Sequence, residues 1–103
     1  NSLEFYNNKE KATTTQKVKQ TWTDPKTALI EIIYAFHSHA SLDNGKPDIK
    51  EIASSFEQIF NIDLGDYYKT YLEMKMRKTS RTKFLDALKE SLLKRMDSAD
   101  DFI

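Results

Sequence analysis

The chain has no cysteine, and only two glycines and two prolines among its 103 residues. Without cysteine there can be no disulfide framework, no cysteine-ligated zinc or iron–sulfur cluster and no thiol catalysis, and a reducing, cytoplasmic setting is expected. So little glycine leaves scant material for the positive-φ turns that hairpin-rich folds consume, which favours helices. No uninterrupted apolar run approaches bilayer length, and no basic segment followed by an apolar stretch marks a signal peptide. A soluble domain with no membrane partner is therefore expected.

Catalytic signatures are missing as well. Gly45 and Gly65 stand alone, so neither a phosphate-cradling loop nor a dinucleotide fingerprint exists. His37 and His39 are the only histidines. Two positions apart on a helix, they point to nearly opposite sides rather than to one metal ion. No spacing joins Ser, His and Asp into a triad, and carboxylates such as Glu51 and Glu57 would meet only by accident of folding. The expectation is a protein that is not an enzyme and uses no cofactor or metal.

What is present argues for order. Twelve aromatics and many Leu and Ile residues supply the burial that offsets ordering entropy, and the length suits one hydrophobic core. Asn1 rather than Met at the start fits a piece of a longer protein. Net charge is zero, which argues against a histone-like protein. Its distribution is uneven: residues 1–20 carry a surplus of two positive charges, residues 21–64 a deficit of four and residues 65–103 a surplus of two.

Residues 1–20 are polar, with a Thr13-Thr14-Thr15 run and only Leu3, Phe5, Tyr6 and Val18 to bury, and read as an extended arm. Asp24-Pro25 then marks a helix start, with Asp24 as cap and Trp22 stapling the incoming chain onto the helix. Leu29, Ile32, Ile33, Phe36 and Ala40 form its stripe, and Asn44-Gly45 closes the segment. Pro47-Asp48 opens a second helix with Glu51 completing a capping box, followed by Ile49, Ile52, Ala53, Phe56, Ile59 and Phe60. Asn61 to Gly65 is a turn, and a third helix is predicted from Asp66 to Arg77. Tyr68, Tyr71 and Leu72 are read as its inward face, with Tyr67, Thr70, Met74 and Arg77 toward another. Phe84, Leu85, Leu88, Leu92, Leu93 and Met96 define a fourth helix. Residues 21–97 thus form a mainly α, four-helix domain, and residues 98–103 an acidic tail. The second and third helices are spaced as a helix-turn-helix requires, with Gly65 in the turn.

One segment stands out. Lys75 to Lys83 holds five basic residues, Lys75, Arg77, Lys78, Arg81 and Lys83, with Thr79, Ser80, Thr82 and no acid, at the junction between the last two helices. Lys and Arg neutralise phosphate charge while hydroxyls add directional hydrogen bonds, so this mix suits a nucleic-acid backbone. The alternative is a solvated basic loop complementing the acidic middle of the same chain. Were the third helix to enter a major groove, Tyr67, Lys69 and Thr70 would face bases, although Asp66 at its start would sit badly against phosphate. A protein-interaction module is the rival, with Tyr67, Thr70 and Met74 offered to a partner protein.

The stretch from Thr21-Trp22-Thr23 through Leu29 to His37, then Asn44 to Ala53, Phe60 to Tyr68, Arg77-Lys78 and Arg81 to Asp86, ending at Arg95-Met96-Asp97, resembles the C-terminal part of the RteC family. The likeness runs through residues 21–97. It implies a regulator of the kind encoded on tetracycline-inducible conjugative elements, or conjugative transposons, of gut anaerobes, where such proteins activate transcription of excision genes. Promoter DNA, double-stranded, is the implied partner, bound by a helix-turn-helix or winged-helix C-terminal domain. The resemblance also implies an additional N-terminal domain, so that this sequence is expected to be either an excised C-terminal domain or a shorter relative, with effector input or dimer contacts carried upstream; a homodimer is the other expectation. A wing would need strands near Lys17-Val18-Lys19-Gln20 or after Lys75. With that resemblance, the basic junction is read as a phosphate contact, and Lys69, Thr70, Lys75, Arg77, Lys78, Thr79, Arg81 and Lys83 as the DNA-binding residues.

Overall fold

A computed structural model of the chain describes residues 20–98, so the arm over residues 1–19 and the tail beyond Ser98 lie outside the described residues. Among these residues four helices follow in order: α1 Lys26–His39, α2 Ile49–Phe60, α3 Tyr67–Lys75 and α4 Lys83–Met96, with a 3₁₀ turn at Asp43–Gly45. No strand occurs among the described residues. The segment after Lys75 forms turns rather than a wing, and Gln20 is likewise not in a strand.

The hub is α1, against which α2, α3 and α4 all pack. Leu29, Ile30 and Ile33 are its fully buried side chains, joined by Ile52 and Ala53 of α2, Leu64 of the following loop and Met74 of α3. Burying a side chain of this size stabilises by about 1.5–3 kcal/mol, so these few contacts hold three helices together. The inward face of α1 is centred on Leu29, Ile30 and Ile33, while Phe36 and Ala40 at its end are exposed.

Local signals explain the ends. Asp48 accepts from the Glu51 N–H at 2.8 Å while the Glu51 carboxylate accepts from the Asp48 N–H at 3.2 Å, the reciprocal capping box expected for α2. α1 departs from expectation at both ends. Its N-cap is Pro25, with no side-chain cap, so Asp24 does not serve; instead Trp22 donates its indole N–H to the Pro25 carbonyl at 2.9 Å. Its C-terminus is closed by Ala40 in the left-handed region, ahead of Asn44-Gly45. Gly45 has φ +82° and approaches Ala40 so closely that an added Cβ would lie 2.9 Å from the alanine Cβ, which is why glycine occupies this turn.

Aromatic contacts tie the outer helices to this frame. The Trp22 ring lies 5.5 Å from Phe60 and 5.7 Å from Phe84, so the chain entering α1 bridges the end of α2 and the start of α4. Tyr34 of α1 stacks on Tyr71 of α3 at 4.0 Å with 4° between the planes. Such pairs contribute about 0.5–1.5 kcal/mol beyond their buried area.

Two faces differ from the sequence pattern. On α3, Met74 is buried and Tyr67 and Tyr71 pack against the core, while Tyr68 is 59% exposed and Leu72 37%. The inward stripe is therefore Tyr67, Tyr71, Met74, rotated from the expected Tyr68, Tyr71, Leu72, because residues 62–64 pull the start of α3 inward through Ile62 and Leu64. On α4, no residue is buried, and Leu88, Leu92, Leu93 and Met96 are 44–65% exposed.

Candidate nucleic-acid interface

The loop from Asn61 to Asp66 sets the position of α3. Asn61 takes a left-handed conformation at the end of α2, the Leu64 N–H donates to Glu57 Oε2 at 2.9 Å, and the Gly65 N–H donates to Asp63 Oδ1 at 2.9 Å. Asp66 then caps α3 by accepting from the Lys69 N–H at 3.1 Å. With Leu64 driven into the core, α3 leaves the loop with Tyr68, Lys69, Leu72 and Met76 turned to solvent. Glu73 is exposed as well, an acid among them.

The basic junction follows directly. Lys75, Lys78, Thr79, Arg81 and Lys83 are exposed, and among the described residues none of their cations has a carboxylate partner. Arg77 is half-buried and donates to the Ser80 carbonyl at 3.4 Å, folding the turn back on itself around Ser80, whose φ is +55°. The Thr82 hydroxyl is engaged with Asp86 at 3.2 Å. The segment is thus solvated, and among the described residues it forms no ion pair with the acidic middle of the chain.

The readout candidates on α3 divide. Lys69 is free at the surface. Thr70 is half-buried and donates its hydroxyl to the Asp66 carbonyl at 3.3 Å, so its hydroxyl proton is already engaged. Tyr67 packs on the core and does not face outward; Tyr68, which sequence reasoning placed inside, takes the outward position. Of the three residues of the rival interaction face, the same rotation buries Met74 and leaves Tyr67 and Thr70 half-buried. Burial of the adjacent loop residue Leu64 is the signal that fixes this phase, and no count along α3 alone contains it.

His37 and His39 are both exposed near the end of α1, the Nδ1 of His39 lying 3.4 Å from the Ser41 hydroxyl. No cluster of three or more metal-ligating side chains occurs among the described residues. The Tyr34 phenol is pushed above its usual 10.0, first by partial burial and then by the neighbouring phenols of Tyr67, Tyr71 and Tyr68 and the Asp66 carboxylate. No helix of the described residues is long and apolar enough to cross a membrane.

Among the described residues these features define a small helical domain in which an exposed cationic turn without carboxylate partners follows one short helix. A family model described as RteC protein matches residues 1–100, nearly the whole chain, and the chain belongs to the RteC family. The match takes in residues 1–19 as well as the helices of the described residues. No curated protein and no solved structure matches the chain.

Proposed function

We propose that this chain is a DNA-binding domain of a transcriptional regulator of mobile-element excision or conjugative transfer. It grips double-stranded promoter DNA through the outward face of α3 and the basic turn after it. The observation that carries this reading is that Lys75, Lys78, Arg81 and Lys83 stand in solvent with no acidic partner among the described residues, and that Lys69 on α3 is exposed as well. An unpaired cation loses nothing in its own fold when it meets a phosphate, and it gains the release of condensed counterions. Membership of the RteC family supports a regulatory role on a conjugative element. In this arrangement Lys69 and Tyr68 approach base edges or sugars, Lys75, Lys78, Arg81 and Lys83 contact phosphates, and Thr79 adds a neutral hydrogen bond. Arg77 shapes the turn.

The test is a gel-shift assay with the DNA upstream of the chain's own gene. Changing Lys78, Arg81 and Lys83 together to Ala should leave the circular-dichroism spectrum intact and weaken binding at least tenfold. Unchanged binding removes the basic turn from the interface.

A second reading, a protein-interaction module, draws on a different observation. Leu88, Leu92, Leu93 and Met96 of α4 are each 44–65% exposed, and contiguous exposed apolar surface is a mark of interaction sites. An apolar interface there would be comparatively indifferent to salt, whereas phosphate binding would not.

A further inference from the structure

We propose that the cavity between α1, α3 and the start of α4 binds a small zwitterion the size of an amino acid. The cavity has a volume of about 260 Å³, close to the lower end of small-molecule sites, which begin at roughly 300 Å³. The stacked Tyr34 and Tyr71 and the buried Met74 line it with apolar surface.

Charges of both signs converge on this volume without meeting. Glu31 lines it and is only 8% exposed, yet among the described residues its carboxylate receives one hydrogen bond, from the Leu85 N–H at 2.7 Å, and no cation. A carboxylate has about four lone-pair sites, so acceptor capacity remains. Lys75 and Arg81 line the same cavity and, among the described residues, have no carboxylate partner either. The walls hold acid and bases apart, so neither neutralises the other. A simple anion would satisfy the bases and face the carboxylate; a simple amine would do the reverse. A zwitterion serves both, with its ammonium on Glu31 and its carboxylate on Lys75 and Arg81, where a guanidinium offers two parallel donors. Its side chain would lie against Tyr71 and Met74.

If the DNA reading above holds, such a ligand competes with phosphate for Lys75 and Arg81, and binding of the two is mutually weakening. The site itself does not depend on that reading, and its test uses no DNA. Amide proton–nitrogen spectra of the 103-residue chain are recorded while the proteinogenic amino acids are added singly. At least one should give saturable shifts at Tyr34, Tyr71 and Arg81, while the amine lacking its carboxylate and the acid lacking its amino group give none at the same concentration. Glu31→Gln keeps an acceptor for the Leu85 N–H and should weaken binding at least tenfold; Ser38→Leu, at an exposed lining position, should abolish it without touching that acceptor. No saturable shift with any amino acid, equal binding of the amine or the acid, or wild-type affinity in both variants overturns the proposal.

Discussion

The Leu85 N–H donates to the Glu31 carboxylate at 2.7 Å, joining two residues 54 positions apart. Leu85 lies in the first turn of α4, where N–H groups have no partner inside the helix. The residue placed to cap them, Thr82, makes no cap hydrogen bond and spends its hydroxyl on Asp86. Glu31, nearly buried on α1, supplies the cap from another helix. The start of α4 is thereby fastened to the hub, and the basic turn is held between that point and the end of α3.

Removing the cap should loosen the turn. Glu31→Ala leaves a donor unsatisfied and should cost about 1–3 kcal/mol, read by urea denaturation. Glu31→Gln should lose less than half of that, because its amide oxygen still accepts.

The α2 capping box is solvent-exposed and independent of the proposed interface. Asp48→Ala should lower stability by about 1 kcal/mol and leave DNA affinity within twofold of wild type. A loss of affinity larger than the loss of folded protein would mean that this end of the molecule takes part in binding.

Legibility followed where the determinants lie. α2 was readable because its cap and its stripe, Ile52, Ala53 and Phe56, are local and agree in phase. α3 was readable as a helix but not in rotation, since Tyr67, Tyr68 and Tyr71 are chemically alike and only the burial of Ile62 and Leu64 decides between them. The leucines of α4 mark its helical period correctly yet stay exposed, because periodicity reports which side chains share a face and not whether anything covers it. The Glu31 cap spans 54 positions and leaves no trace in local pattern. The basic turn itself was plain from composition; that its cations have no carboxylate partner among the described residues was visible only in three dimensions.

The rotation of α3 separates two adjacent tyrosines. Tyr68→Ala should reduce DNA affinity severalfold with an unchanged melting temperature, whereas Tyr67→Ala, which empties a core contact, should lower stability by about 3 kcal/mol. Opposite outcomes would restore the phase expected from sequence.

Tyr34 gives a pH dependence. Burial and its neighbours favour the neutral phenol in the folded state, so the folded pKa lies above the unfolded one. Its contribution to stability is complete below the ordinary phenol range and is lost as pH rises through the raised value. In denaturation measured across the alkaline range, Tyr34→Phe should show a shallower decline than wild type.

The central claim is that unpaired cations beside α3 grip a phosphate backbone, and the salt dependence of affinity tests it most directly. Binding of the wild-type chain to its upstream DNA, measured by fluorescence anisotropy over a range of salt concentrations, should fall log-linearly with a slope of roughly −4, as four to five phosphate contacts require. The slope should flatten by about one unit for each of Lys78, Arg81 and Lys83 changed to Ala. No measurable binding at low salt, or a slope that these substitutions leave unchanged, would contradict the account.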